Sequence, residues 1–119
     1  MSEAKNYATI IKPIEAIIDI SVDDDLSEAI DLFQCTPAGI EIPAGITSTS
    51  ISFQQSSDGI NFNDVYDETR SVISVDIIGG SYVTLRDIAA FYGIRFLKIK
   101  TGSAEAADRT FKIIPKVVT

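Results

Sequence analysis

Apolar and polar residues alternate along most of the chain. In Ile14-Glu-Ala16-Ile-Ile18-Asp-Ile20-Ser-Val22 the even positions are all apolar, while Glu15, Asp19 and Ser21 fall between them. A period of two sends successive side chains to opposite faces of a strand, so this segment is predicted to be a half-buried strand. Ile30 and Leu32 around Asp31, Ile40 and Ile42 around Glu41, and Ile51 and Phe53 around Ser52 repeat the pattern. So do Ile73, Val75 and Ile77 around Ser74 and Asp76, and Phe111 and Ile113 around Lys112. Turn-forming clusters separate the segments: Asp23-Asp24-Asp25, Thr36-Pro37-Ala38-Gly39, Pro43-Ala44-Gly45, Gly79-Gly80 and Thr101-Gly102-Ser103. Many short strands at this spacing predict an all-β sandwich or barrel. Ile18, Ile20, Ile40, Phe53, Val75, Ile77, Phe96 and Phe111 are expected in one core, with Phe62 beside them as an aromatic at strand spacing. One short helical turn is expected over Leu85 to Tyr92, ended by Gly93.

The stretch from Ile51 to Asp67 carries the sharpest local signal. Asp58-Gly59 lies between two runs of strand-forming residues, and Asp-Gly supplies the positive φ that a primed hairpin turn needs. A hairpin turning at Asp58-Gly59 is predicted. Residues 1 to 13 lack alternation and carry Lys5, Asn6, Lys12 and Pro13; they are expected to form an N-terminal arm ahead of a sandwich over residues 14 to 119.

Composition agrees with these elements. Ile, Val and Thr make up about a third of the chain, and β-branched side chains suit a pleated, half-buried surface. A chain of 119 residues that is 45% hydrophobic suits one domain with one core. No apolar run has the length of a membrane span. The first residues lack the apolar stretch of a secretory signal, so folding in a cytoplasm is expected. Cys35 is alone and is expected to be a small buried apolar residue, since neither Gln34 nor Thr36 would activate a thiol.

Four pieces follow one another in a recognisable order. They are Phe33-Gln-Cys-Thr-Pro37-Ala-Gly39-Ile-Glu-Ile-Pro43-Ala-Gly45-Ile-Thr47, then Phe53-Gln54 with Ser57-Asp58-Gly59, then Gly93-Ile-Arg95-Phe-Leu-Lys98-Ile-Lys100-Thr-Gly102-Ser103, then Ala106-Ala107-Asp108-Arg109-Thr110. Over about residues 30 to 115 this order resembles a family of small virion structural proteins of tailed bacteriophages with a galactose-binding-like (discoidin-type) jelly-roll domain. The resemblance implies an antiparallel two-sheet jelly-roll sandwich and a structural role in the virion. That role is expected to be a capsid decoration protein bound to the major capsid protein or other virion proteins, with a homo-oligomer a further expectation. The alternatives are a carbohydrate-binding module and a tail or neck accessory protein. The family's usual Trp positions are absent: Gly45-Ile46 and Gly93-Ile94 stand where aromatics are expected, which removes the implied aromatic platform.

The residue inventory narrows the chemistry. With no His, the usual Ser-His-Asp and Cys-His schemes and the commonest transition-metal ligand are missing. No phosphate-cradling glycine motif is present. Asp64, Asp67, Glu68 and Asp76 could pair as glycosidase carboxylates, but acidic residues alternating along strands read as a solvated face. The expectation is no enzyme activity and no cofactor. Asp23 to Asp25 and Asp58 to Asp64 offer hard oxygen ligands for calcium, yet both read better as turns, so no metal is expected.

Charge adds the last element. The net charge of −7 argues against nucleic acid as a partner, since a phosphate-binding face needs a basic stripe. It is uneven: residues 1 to 93 carry 4 basic and 15 acidic side chains, residues 94 to 119 carry 6 basic and 2 acidic. Opposed poles suit subunit association. The expected interface is therefore Tyr7, Ile10 and Ile11 on the arm together with Arg95, Lys98, Lys100, Arg109 and Lys112. Among exposed aromatics, Phe91 and Tyr92 are the expected glycan contacts, ahead of Tyr66 and Tyr82.

Overall fold

The computed structural model describes residues 12–33 and 35–117. Nine strands appear: β1 (Ile14–Ile18), β2 (Ile30–Asp31), β3 (Cys35–Glu41), β4 (Ser50–Ser56), β5 (Asn63–Asp64), β6 (Ser74–Asp76), β7 (Tyr82–Thr84), β8 (Phe96–Thr101) and β9 (Arg109–Val117). One 3-10 turn, Ile88–Phe91, stands where the helical turn was expected, and Gly93 follows at φ +86°. The strands form two antiparallel sheets packed as a sandwich. The first has the order β1-β9-β3-β7; the second has the order β2-β8-β4-β5, with β6 also pairing with β4.

The alternation explains the packing. β1 turns Ala16 and Ile18 inward, β3 Ile40, β9 Phe111 and Ile113, β4 Ile51 and Phe53, and β8 Leu97 and Ile99, all buried in one core. Two prolines face each other across the β3–β9 pair, Pro37 opposite Pro115, beside a register shift between Pro37 and Gly39. Neither has an N–H to lose. On that register Pro115 turns its nitrogen towards β1, which begins opposite Ile113 and does not reach it, so no ladder bond is missing.

Of the eight expected core residues, Ile18, Ile40, Phe53, Ile77 and Phe111 are buried, and three differ. Ile20 is 40% exposed, because Asp19 ends the strand: its Oδ1 accepts from the Ser21 N–H at 3.0 Å and the Ser21 hydroxyl at 2.6 Å. Phe96 is half-buried on the outer face, since β8 sends Leu97, Ile99 and Thr101 inward. Val75 is half-buried on an edge strand. Phe62 also lies half-buried outside the core, and Cys35 is half-buried rather than enclosed.

The predicted hairpin forms, but not with a two-residue turn. The last paired residues are Gln55 and Asn63, and the loop between them is built by side chains. Asp58 Oδ1 accepts from the N–H groups of Ile60 at 2.8 Å and Asn61 at 2.9 Å, and from the Ser56 hydroxyl at 2.7 Å. Ser56 Oγ in turn accepts from the Gly59 N–H at 2.9 Å. Gly59 sits at φ +79°, so the positive φ read from Asp-Gly is present. These donors hold the Asp58 carboxyl far below the usual carboxylate range, the Asn61 and Ile60 amides first. Of the expected arm, Lys12 and Pro13 are exposed and residues 1 to 11 lie outside the described residues.

Candidate association surface

The outer face of the second sheet carries Phe96 among polar strand residues, and exposed apolar side chains collect on the loops beside it. β8 presents Phe96, Lys98 and Lys100 outward, and the loop from Ser56 to Phe62 folds back over them. A Cβ on Gly59 would touch the Phe96 ring at 3.4 Å, and the Lys98 ammonium lies 4.5 Å from the Phe62 ring centre. Arg95, just before β8, holds Asp31 with two bonds, Nε to Oδ1 at 2.6 Å and Nη2 to Oδ2 at 2.8 Å. This pairing lowers the Asp31 carboxyl and raises the Arg95 guanidinium. The same guanidinium lies 5.0 Å from the Phe96 ring centre and 5.8 Å from that of Phe33.

Three large apolar side chains stand out from this region: Ile60 is 80% exposed, Val22 79% and Phe33 69%. Each is held by a fixed loop. Asp19 staples the turn carrying Val22, whose N–H bonds to the Asp19 carbonyl at 2.9 Å. Asp58 staples the loop carrying Ile60. Asp31 Oδ1 accepts from the Phe33 N–H at 2.7 Å, and Phe33 sits at φ +56°, a backbone region that costs a bulky residue on the order of 1–3 kcal/mol. Val22, Leu26, Ile60 and Phe62 wall a cleft of about 360 Å³ with Lys98 beside them. Phe33, Tyr92, Ile94 and Arg95 line a second, of about 300 Å³.

The six basic residues after position 93 do not form one pole. Arg95, Lys98 and Lys100 belong to the second sheet, whereas Arg109, Lys112 and Lys116 lie on β9 in the first. All but Lys116, which lies opposite Thr36, sit near acid. Lys112 is flanked across the ladder by Glu15 and Glu41. Lys98 and Lys100 are close enough to help lower the Asp23 carboxyl, behind the larger effect of its hydrogen bond with Asp25. Arg109 Nε donates to Glu105 Oε1 at 2.8 Å. Phe91, expected as a glycan contact, is only 2% exposed and packs edge-on against Phe53 at 5.0 Å; a ring pointing into the core cannot stack on a ligand. Tyr92 is 51% exposed. Tyr7, Ile10 and Ile11 lie outside the described residues.

Sequence reasoning missed Glu105. Its side chain is fully buried, and four donors meet it: the Thr47 N–H at 2.9 Å and Arg109 on Oε1, the Ser48 N–H at 3.0 Å and the Ser48 hydroxyl at 2.6 Å on Oε2. Burial pushes the carboxyl up, but Arg109, Ser48 and Thr47 together pull it further down, to about 2. The cluster ties residues 47 and 48 to the segment leading into β9. The carboxylates of Asp23, Asp24 and Asp25 lie within 4.8 Å of one another. Asp25 is raised, chiefly by its hydrogen bond with Asp23, and Asp25 and Asp24 also accept backbone bonds from Thr101 and Glu105, as a turn would. Asp64 bonds to the Gln54 amide, and Asp67 to Thr69 and Ser71.

No family model, curated protein or solved structure matches the chain.

Proposed function

We propose that this chain is a structural protein of a tailed-bacteriophage virion, a decoration protein on the outer surface of the head with no catalytic role. The observation that carries the reading is the outer face of the second sheet. Exposed Val22, Ile60 and Phe33 on side-chain-stapled loops, interleaved with Arg95, Lys98 and Lys100, have the make-up of an association surface: rigid apolar anchors with arginine beside aromatics. Pre-ordered loops reduce the entropy lost on docking, and repetition on a lattice multiplies modest contacts. The strand order adds support. First strand beside last, with β1, β3, β7 and β9 in one sheet and the rest in the other, supports reading the sandwich as a jelly roll. The partner is then the major capsid protein or another head protein.

The carbohydrate reading has one specific observation in its favour, the cleft between exposed Phe33 and Tyr92 with Arg95 beside it. Copy number in purified virions, by quantitative mass spectrometry, separates the assignments: decoration requires a number comparable to that of the major capsid protein, and a handful of copies points to tail or neck. Binding to heads lacking the protein tests the surface. The double variant Val22→Ser, Ile60→Ser should fold normally and lose occupancy, and deletion of residues 2 to 12 should lower occupancy as well. Full binding by the double variant refutes the surface, and binding to a bacterial glycan but not to heads replaces the decoration reading.

A further inference from the structure

The open side of the sandwich carries a second feature, independent of the virion reading. β6 is an edge strand whose one neighbour among the described residues is β4. The Ile77 N–H bonds to the Thr49 carbonyl at 2.9 Å. With the register Ile51–Val75, this makes Val75 and Ile77 the residues whose backbone groups face β4. Ser74 and Asp76 therefore turn their N–H and C=O groups outward. Among the described residues no hydrogen bond reaches them. Beside this edge runs a groove of about 650 Å³. One wall is Ile73 and Val75, with Tyr66 at the end; the other is Leu85, Ala89 and Phe91. Its rim is acidic: Asp67, Glu68 and Asp87 line it with a single cation, Arg86, and Asp76 stands exposed on β6.

We propose that this groove takes an extended segment of a partner protein as an added strand on β6, and that the segment alternates apolar residues with Lys or Arg. The backbone of the segment would pair with the outward groups of Ser74 and Asp76. Its inward side chains would meet the accessible Val72, Ile73, Val75 and Ala89 above the buried Leu85 and Phe91, and its outward ones the carboxylate rim. Unpaired edge groups beside an apolar trough are what strand addition uses. The rim decides the occupant. A second copy pairing β6 with β6 would bring two sets of these carboxylates together on chains already at −7, and a basic partner removes that repulsion.

The test uses the full chain, labelled with ¹⁵N, and a synthetic peptide of alternating Val and Lys. Controls are the same peptide with alternate backbone amides N-methylated, and one with Glu in place of Lys. Shift changes are expected over residues 66 to 76 and 85 to 91, with amide exchange at Ser74 and Asp76 slowed about tenfold or more. Both controls should bind at least about tenfold more weakly. Ser74→Pro removes an outward N–H but also fixes its own φ and restricts Ile73; where exchange protection shows the Ile77 N–H to Thr49 bond retained, the variant should bind at least about tenfold more weakly. Glu68→Lys with Asp87→Lys, two rim carboxylates whose side chains hold no backbone group among the described residues, should reverse the preference towards the Glu peptide. Equal binding by the N-methylated peptide overturns the proposal. So do shifts confined to the Val22–Ile60 face, unchanged exchange at Ser74 and Asp76, or a concentration-dependent dimer of the protein alone that protects those amides.

Discussion

Replacing Glu105 tests the more buried of the two ion pairs among the described residues, that of Glu105 with Arg109. Glu105→Gln keeps the size and one oxygen but turns an acceptor into a donor. On either amide orientation the new NH₂ faces a donor pair: Thr47 N–H and Arg109 on one side, Ser48 N–H and hydroxyl on the other. At least one buried backbone N–H loses its partner, at about 1–3 kcal/mol, and Arg109, with only 15% of its side chain exposed, loses its counter-charge. Breaking a buried pair costs about 3–5 kcal/mol, so a loss of about 3 kcal/mol is expected from urea unfolding at pH 7 with an unchanged m-value. Acid gives a second readout. The folded carboxyl is held at about 2 against an ordinary 4.5. Its contribution is therefore present above pH 4.5 and lost as pH falls towards 2, about 3 kcal/mol in all by linkage. Wild type carries this loss and Glu105→Gln does not, so the two stability curves converge as pH falls. Other lowered carboxyls, such as Asp19, Asp31 and Asp67, act equally in both proteins and cancel in the difference. A gap that is small at pH 7, under about 0.5 kcal/mol, or that stays constant down to pH 2, refutes the account of Glu105 as a charged clamp.

Gly59→Val should destabilise the domain by about 1–3 kcal/mol, because φ +79° strains a β-branched residue; an unchanged denaturation midpoint contradicts this. Phe53→Ala, at the centre of the core against Phe91, should cost about 3–5 kcal/mol, and a smaller loss would mean that neighbouring side chains collapse into the space. Phe33→Gly should leave thermal stability unchanged or raise it by up to about 1 kcal/mol, since glycine accepts φ +56° without strain, while weakening attachment at the outer face. A marked fall in stability would show that the Phe33 ring is held for packing.

The class of fold was legible because alternation is local: Ala16, Ile18, Ile40, Ile51, Phe53, Phe111 and Ile113 face inward as their parity dictates. Phe96 was legible too, had parity been weighed above aromatic character. Lys98 and Lys100 share its face, and two lysines cannot share a core. Ile20 continues the alternation on paper, but the Asp19 carboxylate captures Ser21 and turns the chain. The length of the 56–62 loop was not legible from Asp58-Gly59 alone, since it depends on where β4 and β5 cease to pair. Glu105 has one local partner, Arg109 four residues on, but its other donors, on Thr47 and Ser48, lie 58 and 57 residues away, and only the fold joins them.

The charge pattern changes meaning for the same reason. Arg95 to Lys100 and Arg109 to Lys116 are close in sequence, but β8 and β9 belong to different sheets, so a run of cations along the chain becomes two sets in space. Each set meets carboxylates contributed by distant strands: Asp31 holds Arg95, Glu15 and Glu41 flank Lys112, and Glu105 holds Arg109. Two of the six cations, Arg95 and Arg109, are held in ion pairs, so the cations form no single pole. What distinguishes one region from another is then apolar exposure. Val22, Ile60 and Phe33 mark the outer face, and the trough beside β6 marks the open side. At the trough the rim is acidic, so a partner that buries its apolar side chains gains further from carrying lysine or arginine around its own contact, whereas at the outer face Lys98 stands among Asp19, Asp23 and Glu28 and both signs are met. Salt acts on that attraction over a Debye length of about 10 Å at 0.1 M. It therefore slows encounter more than it loosens the docked state, whose affinity rests on buried apolar area.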